Sequence, residues 1–122
     1  MKRSETGKRG ELAAAEHLRK SGCDILAANF RTRFGEVDII ASDGRYLIFA
    51  EVKTRAAGSM ILPREAVDLK KQRKIVLAAE EYLSQNQTEL QPRFDVIEVV
   101  TRPGERFIVT SINHIKNAFT PV

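Results

Sequence analysis

The sequence is poor in cysteine and has no long apolar run. Cys23 is the single cysteine among 122 residues, which excludes an internal disulfide and indicates a reducing compartment. No apolar run approaches the ~20 residues that a membrane-spanning helix needs. The basic N-terminus, residues 1–5, has no apolar stretch behind it, which argues against a signal peptide. These absences predict a soluble, cytoplasmic protein without a membrane partner.

Histidine is also scarce, and the chain shows no repeat, low-complexity tract or linker. His17 and His114 are the two histidines, and neither has a metal-ligand partner at useful spacing. Both are predicted to be surface or boundary residues. The length and the 43% hydrophobic content suit one domain, residues 1–122, with its own core.

Two adjacent apolar segments contain carboxylates that a core strand would normally exclude. They are Gly35-Glu36-Val37-Asp38-Ile39-Ile40-Ala41 and Tyr46-Leu47-Ile48-Phe49-Ala50-Glu51-Val52-Lys53. The Asp43-Gly44 step between them is the strongest short-range signal of a hairpin. A two-residue loop would place Asp38 diagonally beside Glu51, and a four-residue loop would place the two acids directly opposite. A three-residue loop would separate them.

The chemistry of these acids suits a hard divalent cation such as Mg²⁺ or Mn²⁺, which prefers oxygen ligands. Asp38 and Glu51 supply two carboxylates, and the backbone carbonyl of Val52 could supply a third oxygen. Lys53 shares a face with Glu51 and can orient a water or neutralise charge on a phosphoryl group. Such a site hydrolyses phosphodiesters without an organic cofactor. A solvated ion pair is the simpler explanation, but it leaves the second acid unexplained.

A helix is predicted over residues 7–20, and Gly22 supplies its C-terminal stop. Its core stripe is predicted to be Leu12, Ala15 and Leu18. Glu11 borders that buried face. A carboxylate there either complements the helix dipole or belongs to a functional site, and the pattern alone does not favour one of these alternatives.

The remaining segments complete an α-β-β-β-α-β-β order. A strand is predicted over residues 25–30, a helix over 63–84 that opens at Pro63, strands over 93–100 and 106–112, and a helical turn over 114–119. The order fits an α/β sandwich with a mixed central sheet. Asp95, inside a predicted strand, could reach the site or pair with a basic side chain, and pairing is favoured.

Basic residues outnumber acidic ones by 20 to 16, a formal net charge of +4. The excess permits a polyanionic partner without requiring one. Three clusters hold many of these residues: Lys2, Arg3, Lys8 and Arg9; Arg31, Arg33 and Arg55; Lys70, Lys71, Arg73 and Lys74. Solvated surfaces explain any single cluster, but three around one acidic site favour phosphate contacts. The predicted nucleic-acid-binding residues are Arg31, Arg33, Arg55 and Lys70.

Asp38 followed by Glu51-Val52-Lys53 resembles the motif of the PD-(D/E)XK nuclease superfamily, which includes restriction endonucleases and archaeal Holliday-junction resolvases. A longer set of segments is similar to the small bacterial YraN-like family and covers nearly the whole chain. These segments are Gly10-Glu11 through Gly22, Asn29-Phe30-Arg31, Gly35-Glu36-Val37-Asp38, Glu51-Val52-Lys53-Thr54-Arg55, Glu65-Ala66-Val67 and Arg93-Phe94-Asp95-Val96.

The resemblance implies a restriction endonuclease-like sandwich and a role for each site residue. Asp38 and Glu51 would bind Mg²⁺ or Mn²⁺, Lys53 would assist hydrolysis, and Glu11 would match a helical glutamate of resolvase-like members. It implies a DNA endonuclease, with branched or repair intermediates as substrates and a homodimer as one possible assembly. The alternatives are a nuclease-fold nucleic-acid-binding module with weak or no catalysis, and an interaction protein that binds no nucleic acid.

Overall fold

The computed structural model describes residues 3–58 and 67–121, which form two helices and five strands. In chain order these are α1 (Arg3–Lys20), β1 (Asp24–Arg31), β2 (Glu36–Ser42), β3 (Tyr46–Ala56), α2 (Leu69–Gln85), β4 (Gln91–Thr101) and β5 (Val109–Phe119). The predicted order of elements is confirmed. In the part of the chain that the structure describes, no helix is long and apolar enough to cross a membrane.

The strands form one mixed sheet in the order β1-β2-β3-β4-β5. β3 and β4 run parallel, and the other neighbours are antiparallel. A parallel pair needs a long crossover, and α2 lies within the connection between β3 and β4. The mixed central sheet predicted from the sequence is therefore present.

The two helices cover opposite faces of this sheet. Ala14, Ala15 and Leu18 of α1 pack with residues of the central strands, among them Ile39, Ile48 and Ile97. The α2 face holds a second cluster, in which Ile75, Ala78 and Ala79 meet residues that include Ile40, Phe49 and Phe94. Burial of these apolar faces on both sides holds the sheet between two helical layers.

The hairpin between β2 and β3 has the four-residue loop, one of the three loop lengths that the sequence allowed. Ser42 pairs with Leu47, and Ile39 pairs with Ala50. The Asp43 carboxylate accepts hydrogen bonds from the backbone N–H of Arg45 at 2.9 Å and of Tyr46 at 2.7 Å. An aspartate side chain that caps its own turn in this way fixes the loop length, and with it the strand register.

The first helix differs from its prediction in its start and its buried face. It begins at Arg3, not at residue 7. Leu12, predicted to be in the core, is 69% exposed, whereas Ala14 is fully buried. Gly10, Ala14 and Leu18 follow each other at four-residue spacing and form the buried side. Small residues at this spacing let the helix lie close to the sheet.

The predicted start of the second helix at Pro63 lies outside the described residues. Within them, α2 begins at Leu69, because the Asp68 carboxylate caps the helix by accepting from the Lys71 backbone N–H at 2.8 Å. Val67, Ile75 and Ala79 are buried, and Val76 and Leu83 pack partly buried against the same cluster.

The predicted helical turn over residues 114–119 is wrong, because these residues belong to β5. The last strand runs over Val109–Phe119 and not over residues 106–112. Its pairing with β4 puts Ile115 beside Val96 and Phe119 beside Phe94. Cross-strand burial of these apolar side chains overrides the weak local preference of a polar tail.

Gly10 and Gly7 of α1 offer a matched test of how closely this helix approaches the sheet. A methyl group at Gly10 would overlap the Thr54 hydroxyl, whereas one at Gly7 would meet nothing within 4 Å. We expect Gly10→Ala to lower the free energy of unfolding by about 1–3 kcal/mol through overpacking. Gly7→Ala should raise it by up to about 1 kcal/mol, because alanine favours the helix.

Urea unfolding of both variants measures these changes. Removal of the Thr54 hydroxyl in the Gly10→Ala background should restore part of the loss. Equal effects of the two glycine substitutions would contradict the close helix–sheet contact.

Candidate active site

The site begins where β2 and β3 separate. In these two described strands the backbone pairs run from Ser42–Leu47 to Ile39–Ala50 and go no further. The same register, continued by one residue, places Asp38 opposite Glu51. The backbone N–H of Val52 donates to Asp38 Oδ2 at 2.8 Å. A side-chain oxygen thus takes the place of a β2 carbonyl, and the two carboxylates meet in the gap between the strands.

Asp38 is poorly suited to carry a charge in the protein alone. Burial raises the pKa of Asp38 to about 8, and the neighbouring Glu51 charge adds to the effect. The hydrogen bond from Val52 lowers this pKa but does not offset the burial. Asp38 therefore holds a proton at neutral pH unless a cation compensates its charge.

Glu51 is 3% exposed and is held by two lysines. Lys53 Nζ lies 3.5 Å from Glu51 Oε1, and Lys71 Nζ lies 2.8 Å from the same oxygen. Burial would lower the pKa of Lys71, but its hydrogen bond and charge interaction with Glu51 raise it overall. Lys71 comes from the first turn of α2, so the site draws on the helix between β3 and β4 as well as on the hairpin.

Glu11 lines the same groove as Asp38, Glu51 and Lys53. Burial raises the pKa of Glu11, and the charges of Glu36 and Glu51 raise it further. With its amide oriented to donate, Asn29 Nδ2 lies 2.8 Å from Glu11 Oε1. The prediction that Glu11 faces the acidic site agrees with this placement, and its role stays a proposal.

Two residues of the site were missed by the sequence reasoning. Lys71 was seen only as part of a basic cluster, although a lysine in the first turn of a helix without acids there opposes the helix dipole. Asn29 holds a left-handed backbone with φ 53°, which is uncommon outside glycine, and no sequence signal marked it as a partner of Glu11.

The donor set fits a hard divalent cation in its chemistry. Asp38 and Glu51 are adjacent carboxylates whose mutual repulsion a cation would relieve. Over residues 3–58 and 67–121, however, no group of three or more His, Cys, Asp or Glu side chains is drawn together tightly enough to hold an ion. In the described residues, Asp38 and Glu51 therefore form a carboxylate pair and not a preassembled cluster of three ligands.

Grooves of about 480 Å³ and 380 Å³ meet at the carboxylate pair. The larger runs between the turn before β2 and the start of α2, lined by Gly35, Lys70 and Lys74 among others. The smaller lies along α1 and β3. Asp38, Glu51 and Lys71 line both grooves.

The predicted nucleic-acid-binding residues divide into two groups. Arg31, Arg33 and Lys70 are exposed, and Lys70 lines the larger groove. Arg55 is instead held by the buried Glu98, with Nη2 3.2 Å from Glu98 Oε1. Asn113 also donates to Glu98, at 2.7 Å. Arg55 is thus the counter-charge of a buried glutamate, which gives its side chain a structural role.

Asp95 belongs to a separate polar network. Its carboxylate accepts two hydrogen bonds from Arg93, at 2.9 Å and 2.8 Å, and one from the Asn117 backbone at 3.0 Å. His114 Nε2 lies 2.7 Å from Asp95, and His114 Nδ1 lies 3.1 Å from His17 Nε2. The favoured pairing of Asp95 with a basic side chain is observed. The network ties α1 to β4 and β5.

Comparison with known proteins places the chain among small bacterial relatives. A family model described as "Uncharacterised protein family UPF0102" matches residues 10–99. A UPF0102 protein of Caldanaerobacter subterraneus subsp. tengcongensis is 47% identical over 114 residues, which cover 93% of each chain. A UPF0102 protein of Syntrophotalea carbinolica is 47% identical over 118 residues, covering 96% of this chain and 93% of the relative.

A solved structure shares the fold. It is the 1.6 Å structure of Archaeoglobus fulgidus Hjc, a Holliday junction resolvase from an archaeal hyperthermophile. The TM-score is 0.51 at 20% sequence identity, and the match covers 91% of this chain and 88% of the other. At this identity the likeness concerns the fold, and the predicted fold class is confirmed.

Asp38→Asn and Asp95→Asn should change the free energy of unfolding in opposite directions. The pKa of Asp38 in the folded protein, about 8, lies above its ordinary value of 3.8. As pH rises, the unfolded chain therefore releases this proton before the folded protein does. The contribution of Asp38 to the free energy of unfolding is highest below about pH 4 and decreases towards pH 8, where the folded protein also releases the proton. Asp38→Asn removes that loss, so at pH 8 it should raise the free energy of unfolding by about 1–3 kcal/mol in metal-free buffer.

The pKa of Asp95 is lowered: burial opposes this, but the hydrogen bonds from His114 and Arg93 outweigh it. Asp95→Asn should therefore lower the free energy of unfolding by about 3–5 kcal/mol near neutral pH. The loss should shrink as pH falls through the lowered pKa of Asp95. Urea unfolding measures both variants, from pH 8 for Asp38→Asn down to below the ordinary carboxyl pKa of 3.8 for Asp95→Asn. A destabilising Asp38→Asn at pH 8 would show that the Asp38 charge is already compensated.

Proposed function

Because the chain belongs to the uncharacterised protein family UPF0102 and has the fold of a Holliday junction resolvase, we propose that it is a divalent-metal-dependent DNA endonuclease. Family membership agrees with the resemblance drawn from the sequence. The function rests on the chemistry of the site, since a fold hosts many activities.

The observation that supports it best is the pairing of Asp38 with Glu51 in the gap between β2 and β3. An unpaired buried carboxylate is costly, and proteins keep one where it serves a function. Here Asp38 lies beside Glu51, and a bound cation would offset the burial and the Glu51 charge that raise the pKa of Asp38. Glu51 has two lysine partners, as Glu98 has Arg55, whereas Asp38 has no ion pair among the described residues.

Each residue of the site would have its own task. Asp38 and Glu51 would hold Mg²⁺ or Mn²⁺, with the Glu11 carboxylate and the Val52 carbonyl as further oxygen ligands. When bound, such an ion supplies positive charge and an activated water for phosphodiester hydrolysis. Lys53, 3.5 Å from Glu51, would neutralise charge that develops on the phosphoryl oxygens.

The nucleic acid would approach along the two grooves. Arg31, Arg33 and Lys70 are exposed and would contact phosphates, Arg31 in exchange for its ion pair with Glu36. Double-stranded, single-stranded and branched DNA all present such phosphates, so these contacts do not define the substrate. Because the structural neighbour is a Holliday junction resolvase, four-way-junction DNA is a natural member of any test panel.

Cleavage of duplex, single-stranded, flap and four-way-junction DNA with Mg²⁺ or Mn²⁺ tests the proposal. We expect Asp38→Asn, Glu51→Gln and Lys53→Ala each to reduce the cleavage rate by at least about 100-fold, because the first two weaken metal binding and the third removes the charge that would stabilise the phosphoryl oxygens. Glu105→Gln, which changes an exposed glutamate in the turn before β5, should leave the rate unchanged.

Equal residual cutting by the wild type and all three site variants would indicate contamination and would rule out the enzyme. DNA binding without cleavage by the wild type would support a binding module with the nuclease fold. RNA of matched sequence belongs in the same panel, because the phosphate chemistry is shared.

The salt dependence of DNA affinity tests the basic surface separately from catalysis. Arg33→Ala and Lys70→Ala should each reduce the slope of log K against log salt concentration by about one, since each removes one phosphate contact. Arg19→Ala, on the exposed last turn of α1, should leave the slope unchanged. Equal slopes for all three variants would contradict the proposed surface.

A further inference from the structure

Lys71 makes the shortest ion pair at the site, yet it lies outside the carboxylate and lysine motif. Its Nζ is 2.8 Å from Glu51 Oε1, closer than the 3.5 Å of Lys53. The Lys71 side chain is 45% exposed, whereas that of Glu51 is 4% exposed. A half-exposed ammonium therefore covers a buried carboxylate from the groove side.

The position of Lys71 in α2 is unfavourable for the helix itself. The first turn of α2 contains no acidic residue, and positive charge near a helix N-terminus is opposed by the dipole. The contact with Glu51 compensates for this cost. A cation that is held mainly by one carboxylate is readily exchanged for another cation of higher charge.

Resting on the proposed function, we propose that Lys71 serves as the counter-ion of Glu51 until a divalent metal binds, and then contacts the DNA phosphate. With an ion on Glu51 and Asp38, the Lys71 ammonium is repelled from the oxygen that it now holds. Its side chain lines both grooves, so after release it stays where a phosphate would lie. Lys53 remains beside Glu51 on β3.

Metal titration by calorimetry separates this role from that of a structural ion pair. Lys71→Gln removes the competing charge, so it should bind Mn²⁺ about tenfold more tightly than the wild type. Arg73→Gln is the matched control, because Arg73 is exposed on the same helix and does not line either groove at the carboxylate pair. It should leave the affinity within about twofold of the wild type.

Thermal unfolding gives a second readout that does not involve cleavage. In EDTA, Lys71→Gln should lower the melting temperature by about 3–6 °C, because Glu51 loses its main counter-ion. In saturating Mn²⁺ the difference from the wild type should fall below about 1 °C, since the metal then neutralises Glu51. A purely structural lysine would show the same loss in both buffers.

Unchanged Mn²⁺ affinity of Lys71→Gln, or a melting loss that persists in Mn²⁺, would overturn the proposal. If the wild type binds no Mn²⁺, both this exchange and the metal dependence of the proposed function are wrong. If Lys71→Gln behaves as expected but no DNA is cut, the exchange stands and the endonuclease does not. If DNA is cut while Lys71→Gln binds Mn²⁺ like the wild type, only the exchange fails.

A second observation concerns the turn between β1 and β2, which presents the exposed ring of Phe34 directly before Gly35, a residue that lines the larger groove. Phe34 is 44% exposed, and the Arg33 guanidinium lies 4.9 Å from its ring centroid. The Thr32 hydroxyl accepts from the backbone N–H of Phe34 at 3.0 Å and of Gly35 at 3.2 Å. The turn is therefore well ordered by hydrogen bonds while its aromatic side chain stays uncovered.

Also on the premise of a DNA substrate, we infer that Phe34 is a stacking platform for an unpaired base. An aromatic ring beside an arginine binds a base face and its phosphate together, and a paired base inside a duplex does not offer that face. Gly35 and Glu36, which follow Phe34, line the groove that holds Asp38 and Glu51. An unpaired nucleotide on Phe34 would thus lie next to the site that cuts.

Fluorescence anisotropy with a single strand and a duplex of equal length tests this inference. The three proteins compared are Glu51→Gln alone, to suppress cleavage, and Glu51→Gln with Phe34→Ala or with Leu26→Ala. Phe34→Ala should weaken single-strand binding about tenfold and duplex binding less than twofold. Leu26, an equally exposed apolar residue on β1, should change neither affinity.

Equal losses for both DNAs, or no loss, would contradict the stacking platform while leaving the endonuclease intact. Absence of DNA binding by Glu51→Gln together with absence of cleavage by the wild type would contradict both.

Discussion

The arrangement of the site depends on the repulsion between two adjacent, poorly solvated carboxylates. Asp38 and Glu51 meet where β2 and β3 stop pairing, and the surrounding elements supply the groups that make this tolerable. The Val52 N–H holds Asp38, and two lysines from different elements hold Glu51. Even so, burial and the adjacent Glu51 charge keep the pKa of Asp38 high. A divalent ion at this pair would compensate the Asp38 charge.

The contrast with the other buried acids of the sheet shows that this effect is local. Asp95 and Glu98 are less exposed than Asp38, yet each has an arginine and further hydrogen-bond donors. The same sheet therefore contains acids that stabilise it and one pair that strains it. Strain of this kind is the usual mark of a functional site, since selection for stability alone would remove it.

The sequence was sufficient for the order of elements and for the acidic half of the site, because both follow from local patterns. The apolar alternation and the Asp43-Gly44 turn place Asp38 and Glu51 on adjacent strands, close to each other with either a two-residue or a four-residue loop. The choice of the four-residue loop depends on the Asp43 side chain, which pattern alone does not resolve. Lys71 lies on α2, in the connection between β3 and β4, and contacts Glu51 only because the fold brings them together. The predicted helical turn over residues 114–119 is part of β5 because these residues pair with β4. Both depend on long-range contacts that periodicity does not encode.

Gly35 fixes the width of the larger groove by a contact between backbones. A side chain there would lie 2.8 Å from the Lys74 carbonyl oxygen, so only glycine lets the turn before β2 rest on α2. Lys74 is within one helical turn of Lys71, and Gly35 is three residues from Asp38 on the other wall. The distance between the α2 backbone and the turn before β2 is thus set by main-chain atoms, which hardly adjust when side chains repack. The backbone contact therefore keeps the width of the larger groove constant, and that width limits the size of a ligand independently of side-chain rearrangement.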